Sequence, residues 1–223
     1  MIAEKFRYTG RCILCNKVFN KSQMTHHLKK CIAMQAHGDG KAFKFFHLVI
    51  EGNHTPMYWL HVEIPSALTL RHLDAFLRDI WLECCGHLSC FTIDGQRYSV
   101  HPADDAIFGL REKTMNQKLY NVLCPGKKFQ HEYDYGSTTE LKLCVVDLRE
   151  RHVKKPDVTL LARNEPPAWK CSGCGKPATL IQATGWGLDV DSVFCNDCID
   201  DEEEEGYLPL VNSPRTGVCG YCG

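Results

Sequence analysis

The sequence has no long apolar run. Nothing in it approaches the ~20 consecutive apolar residues that cross a bilayer as a helix, so no membrane anchor of that kind is expected. The opening MIAEKFRYTG lacks the apolar centre of a signal peptide, which points to the cytoplasm. There is no Gly-rich phosphate loop, no G-x-S-x-G elbow and no H-E-x-x-H helix, which removes the best-marked nucleotide-binding and hydrolytic classes. Net charge is almost absent too, at −1 over 223 residues. That balance hides two opposite ends. Met1 to Cys31 carries seven Lys or Arg against the single acid Glu4, whereas Asp189 to Glu205 carries nine acids and no base. A basic head suits polyanions, and an acidic run reads as a solvated loop.

Cysteine is what the chain has in abundance. Eight of its 14 cysteines fall in four C-x-x-C pairs, and without a secretory signal the pairs read as zinc ligands rather than a disulfide framework. In CILCNKVFNKSQMTHHLKKC, Cys12 and Cys15 have knuckle spacing. His27 and Cys31 are one helical turn apart and can close a tetrahedron with them; His26 is the competing ligand. Phe19 and Met24 sit where a hairpin-helix finger keeps its small core. The stretch resembles a C2HC variant of the C2H2 zinc finger, and so short a unit needs metal to fold. Lys17, Lys21, Lys29 and Lys30 are its candidate phosphate contacts, with a partner that is either nucleic acid or protein. One finger reads only ~3 base pairs, so it is not expected to recognise DNA sequence by itself.

At the other end, Cys171 and Cys174 precede Cys195 and Cys198 by a gap typical of a four-cysteine ribbon. The same gap separates Cys198 from Cys219, so Cys195/Cys198 could alternatively pair with Cys219/Cys222. The first set is preferred because the second ends in the last five residues. Two structural Zn2+ ions are therefore expected. Cys84, Cys85, Cys90, Cys124 and Cys144 lack ligand spacing and read mostly as buried thiols.

The middle of the chain is organised around Thr69 to Glu83, in which Leu70, Leu73, Phe76, Leu77, Ile80 and Trp81 share one helical face. Thr69 is its expected cap, with Leu68 and Leu73 as a hydrophobic staple and Gly86 as a left-handed stop. Strands are expected at Phe45 to Ile50, Met57 to Ile64, Leu88 to Ile93, Lys118 to Leu123, Lys128 to Tyr135 and Thr139 to Asp147, with an edge strand at Val158 to Ala162. Asp94-Gly95 is the clearest hairpin turn. The pattern predicts an α+β fold, a β-grasp-like sheet with one main helix across it, flanked by two small zinc-binding modules. The expected division is a finger and linker at 1–40, a core at 41–150, a linker at 151–168, and a ribbon with tail at 169–223. The tail LPLVNSPRTGVCGYCG is expected to pack back on the body.

The run HLVIEGNHTPMYWLHVEIPSALTLRHLDAFLRDIWLECCGHLSCFTIDGQRY, followed by FQHEYDYG, resembles the plasmid pRiA4b ORF-3-like family over about residues 43–150. The resemblance implies a small α+β core and the company of mobile elements, and it implies no particular activity. The reading that follows is a non-catalytic zinc adaptor with no assigned catalytic residue. The rival is an enzyme acting on nucleic acid, with His87, His131, Asp134 and Glu140 as the side chains to test.

Overall fold

A computed structural model describes residues 8–34, 39–102, 111–183, 188–199 and 206–223. The expected linker from Ala36, the segment 103–110 and the acidic stretch from 200 to 205 fall wholly or partly outside the described residues. The architecture is α+β and mostly sheet. Its strands are β1 (Thr9–Cys12), β2 (Val18–Asn20), β3 (Lys41–Gly52), β4 (Trp59–Pro65), β5 (Ser89–Ile93), β6 (Gln96–Ser99), β7 (Lys113–Thr114), β8 (Lys128–Tyr133), β9 (Thr139–Val153) and β10 (Thr159–Asn164). They form one sheet in the order β2-β1-β10-β4-β3-β9-β8-β5-β6-β7. A second sheet near the C-terminus holds β11 (Leu180–Gln182), β12 (Val193–Phe194) and β13 (Tyr207–Pro209).

The spine of the large sheet is the antiparallel β3–β9 pair, which runs from Lys41 opposite Val153 to Gly52 opposite Leu141 with a bulge at His47/Leu48. Strict alternation places Leu141, Leu143 and Val145 of β9 in the core while Lys142 between them is exposed. Phe129, His131 and Tyr133 of β8 repeat the pattern. The Asp94-Gly95 turn joins β5 to β6 as expected, with both residues left-handed at φ 49° and 77°.

Helix α2 (Leu70–Leu77) lies on the core face, and Leu70, Leu73, Leu77 and Trp81 are fully buried. Phe76 and Ile80 pack against the same cluster at its margin. The helix starts at Thr69, where His72 Nδ1 reaches back to within 2.8 Å of the hydroxyl and accepts from the Thr69 amide at 3.4 Å. From Arg78 to Leu82 the chain widens into a π-helical turn, which brings Leu82 as well as Trp81 into the core. Gly86 is left-handed at φ 79°, but it lies in the turn after the helix, where its amide donates to Glu83 Oε1 at 2.6 Å.

Two expectations are corrected. Lys118 to Leu123 is not a strand: Leu119–Val122 is a helical turn, α3, whose Leu119 and Leu123 are both buried. Apolar residues four apart fit one helical face, and the Leu119 amide is taken by Leu68 O at 2.8 Å rather than by a ladder. Strand β10, expected at an edge, is interior, because the N-terminal hairpin pairs with its free side through β1. That hairpin and its helix α1 (Lys21–Ala33) are thus joined to the large sheet. Met24, Leu28, Cys31 and Ile32 of α1 cluster with Trp59, Leu161 and Ala162 of the strands below.

Beneath α2 lies a buried charge network. Asp74 accepts from Ser89 Oγ at 2.7 Å, His131 Nε2 at 2.8 Å and Arg78 Nε at 2.8 Å. Burial alone would raise the Asp74 pKa, but the hydrogen bond and charge of His131, the Ser89 hydroxyl and the Arg78 charge hold it below its ordinary 3.8. A carboxylate with a depressed folded pKa stabilises the fold above its unfolded pKa, and that contribution is lost as pH falls through the folded value. Urea unfolding should therefore show stability declining on acidification below about pH 4, with a shallower decline in Asp74→Asn. The variant should also lose about 1.5–3 kcal/mol at neutral pH; equal acid slopes in the two proteins would refute this role.

Candidate metal centres

Each expected four-ligand set comes together. Cys12, Cys15, His27 and Cys31 present donor atoms all within 4.8 Å of one another, and so do Cys171, Cys174, Cys195 and Cys198. In the first set the β1–β2 turn supplies two thiols. Cys12 N donates to Lys17 O at 2.9 Å and Asn16 N to Cys12 O at 2.8 Å, with Asn16 left-handed at φ 61°. Helix α1 supplies the other two, beginning at Asn20, whose side chain accepts from Gln23 N at 2.9 Å. His27 Nε2 is 3.2 Å from Cys15 Sγ and its ring stacks on Phe19, whereas His26 turns away to Ser22 O at 3.0 Å. Met24 is fully buried beneath them.

The second set is built from two knuckles. Cys171 N donates to Lys176 O at 2.7 Å and Gly175 N to Cys171 O at 2.8 Å, while Cys198 N closes on Cys195 O at 3.1 Å. Cys174 and Cys195 bring their sulfurs to 3.5 Å. Burial opposes ionisation of Cys171, yet the amides of Cys195, Cys174 and Gly173 draw its pKa down to about 6. Its neighbours Cys174, Cys171 and Cys195 push Cys198 up to about 12. In the first set, burial pushes Cys31 up to about 12, helped by its Cys15 and Cys12 neighbours. Crowded thiols resist shared ionisation, and a dication at the centre of each set would supply the charge that lets all of them become ligands. Thiolates with at most one imidazole, in fours, suit tetrahedral zinc.

A third set was not legible in the spacing. Cys84, Cys85 and His87, in the turn after the π-helical segment, meet Cys219 from the tail, with donor atoms again within 4.8 Å of one another. The expectation that the unpaired cysteines are mostly buried is corrected here. Cys85 and Cys124 are exposed, Cys84 and Cys144 half-buried, and Cys90 buried. A turn between helix and strand leaves thiols at the surface, where the tail can reach them. Cys219 therefore does not join Cys195 and Cys198, and Cys222 is exposed outside all three sets.

The tail packs back as expected, through charge as much as through apolar contact. Ser213, Arg215, Thr216, Val218 and Tyr221 are buried, and Ser213 Oγ donates to Trp81 O at 2.7 Å. Arg215, with no exposed surface, donates to Asp134 Oδ2 at 2.8 Å, Thr139 Oγ1 at 3.0 Å and Ser137 O at 3.2 Å, and its guanidinium lies over the Tyr133 ring. Asp134, left-handed at φ 65°, is thus held by the tail and by the Gly136 amide at 3.0 Å.

Of the four side chains of the rival enzymatic reading, the structure brings two together: His87 Nε2 lies 3.5 Å from Asp134 Oδ2. His87 also faces Cys85 and Cys219 and Asp134 is paired with Arg215, whereas His131 is fully buried on Asp74 and Glu140 accepts from Asn53 Nδ2 at 2.5 Å. Among the candidate phosphate contacts of the N-terminal unit, Lys17, Lys29 and Lys30 are exposed, and Lys21 is ion-paired with Glu51.

Replacing Arg215 by Met should lower stability by about 3–5 kcal/mol, because Asp134 is left buried without its counter-charge. Chemical denaturation would read the change, and a loss under 1 kcal/mol would mean that the pair is solvated and the tail loosely held.

The sequence matches the family described as plasmid pRiA4b ORF-3-like protein over residues 45–185. The match runs past the core to include Cys171 and Cys174 and leaves the N-terminal set, Cys195, Cys198 and Cys219 outside. No curated protein matches the chain. Among solved structures it is similar to a protein of unknown function, MM3350 from Methanosarcina mazei Go1, at 20% identity over 52% of this chain and 68% of that one, with a TM-score of 0.45. With well over half of its length matched, the chain belongs to the plasmid pRiA4b ORF-3-like family.

Proposed function

We propose that this protein is a non-catalytic, zinc-stabilised adaptor that binds nucleic acid along the sheet face opposite α2. On this reading the N-terminal set is a C2HC finger and the C-terminal set a four-cysteine ribbon, each holding one structural Zn2+. The β-grasp-like core between them presents the binding face. The observation that carries the proposal is a groove of about 630 Å³ between α1 and the open face of the sheet. Across its floor runs a row of paired polar residues, Thr92 beside Gln130, Gln130 beside Lys142, and Lys142 beside Glu51. Lys128 stands in the next row, next to Cys144 and Val49.

The chemistry of that lining favours a phosphate backbone. Lys128 and Lys142 are exposed, and the one acid in the groove, Glu51, is already neutralised by Lys21. Lys29 and Lys30 add exposed positive charge on α1. Hydroxyl and amide groups at Thr92 and Gln130 suit sugar and phosphate oxygens. No exposed aromatic ring lines the described part of the groove, so the attraction should be blind to sequence. The mobile-element setting implied by the resemblance fits such a partner, and a cytoplasmic location fits free thiolate ligands.

Fluorescence anisotropy with a labelled mixed-sequence oligonucleotide should show affinity falling by at least tenfold between 50 and 200 mM salt. In Lys128→Glu/Lys142→Glu the slope of log affinity against log salt should flatten by about 1.5–2. Binding that is insensitive to salt, or unaffected by the double variant, would defeat the proposal and favour a protein partner on apolar surface.

A further inference from the structure

We infer that Cys84, Cys85, His87 and Cys219 form a third zinc site, which fastens the C-terminal tail to the core. Two thiolates on one tetrahedral zinc, with bonds of ~2.3 Å, sit about 3.8 Å apart, and a thiolate and an imidazole nitrogen about 3.5 Å apart. Here Cys85 Sγ is 3.8 Å from Cys219 Sγ and 3.6 Å from Cys84 Sγ. His87 Nε2 is 3.2 Å from Cys219 Sγ and 2.9 Å from Cys85 Sγ. The N-terminal set has the same dimensions, 3.9 Å between Cys12 and Cys31 sulfurs and 3.2 Å from Cys15 Sγ to His27 Nε2. A disulfide would need sulfurs ~2.05 Å apart, so these separations describe a shared centre and not a bond.

The backbone on both sides is shaped to aim the donors inward. Gly86, at φ 79°, folds His87 back over Cys85, and the His87 amide is fixed by Tyr133 Oη at 3.3 Å. On the tail, Gly217, Cys219 and Gly220 are all left-handed, at φ 79°, 49° and 68°. A cysteine in that region is strained unless something rewards its position, and ligation would do so. Cys85 and Cys219 are exposed, which leaves the ion a route in.

Three thiolates and a neutral imidazole around a dication carry one net negative charge, and the guanidinium of buried Arg215, which is shared with Asp134, lies beside it, 3.5 Å from Cys84 Sγ. Arg215 also holds Asp134 at 2.8 Å, which fixes the tail against the end of β8 beside the donors. A three-sulfur, one-nitrogen set selects zinc over magnesium or calcium. Ligation would cross-link positions 134 residues apart, closing most of the chain into one loop.

Native mass spectrometry of the full chain, purified under reducing conditions without chelator, tests the site, and zinc counting is independent of what the groove binds. Three zinc ions are expected in the wild type, two in Cys219→Ser, and three in Cys222→Ser, whose thiol lies outside the set. Limited proteolysis of Cys219→Ser should release the tail sooner. A wild-type zinc count equal to that of Cys219→Ser would overturn the site, whether the thiols are free or the wild-type mass is two hydrogens lighter from a Cys85–Cys219 disulfide. Three ions retained by Cys219→Ser would overturn it as well. If that variant fails to fold, the wild-type count and Cys85→Ser decide in the same way.

Discussion

The β3–β9 ladder is the interaction around which everything else is arranged. It pairs two long strands across the middle of the sheet, and every other strand of that sheet extends outward from one or the other of them. A pair this central must bury both its edges and at least one face. Its edges are taken by β4 and β8. Its core face is taken by α2 and the π-helical turn that follows, which supply Leu70, Leu73, Leu77, Trp81 and Leu82 to one apolar cluster. The opposite face is covered at one end by α1 and its own small cluster around Trp59 and Leu161. Beside it, Lys128, Gln130 and Lys142 of β8 and β9 stand in the open along the groove under α1.

Arginines, one buried and two half-buried, tie the pieces together. Arg78 holds Asp74, Glu83 and the His87 carbonyl, linking the helix to the turn behind it. Arg215 brings a tail residue to Asp134 and Thr139, at the junction of β8 and β9. Arg151 pairs with fully buried Glu63 across β3. The guanidinium groups of Arg78 and Arg215 each reach several acceptors at once, which a lysine ammonium on a flexible stem would do less well. Such pairs contribute less to net stability than their attraction suggests, because both charges lose water. Their effect is to specify register and docking, since any other arrangement strands a charge.

Much of the local chemistry was legible along the chain. Hydrophobic spacing located α2 and the strands around it, because a helix of period 3.6 and a strand of period 2 leave different marks on the same alphabet. Asp94-Gly95 announced its turn, since few residue pairs adopt two left-handed conformations cheaply. The C-x-x-C knuckles announced both expected ligand sets, because a knuckle presents its two sulfurs from one tight turn and needs no distant information. The short helix at Leu119 was misread, since a six-residue apolar stretch has too few turns to reveal its period.

What the sequence by itself determined is therefore the set of elements with their own periodicity and the candidate metal donors that lie close together along the chain. Only the tertiary structure decided that the N-terminal hairpin pairs with β10 inside the large sheet, and that Cys219 leaves its C-x-x-C neighbour to meet Cys84, Cys85 and His87. Those outcomes depend on contacts between residues more than a hundred positions apart. Such contacts follow from which edges and charges remain unsatisfied once the local elements have formed, and no short window of sequence holds that information.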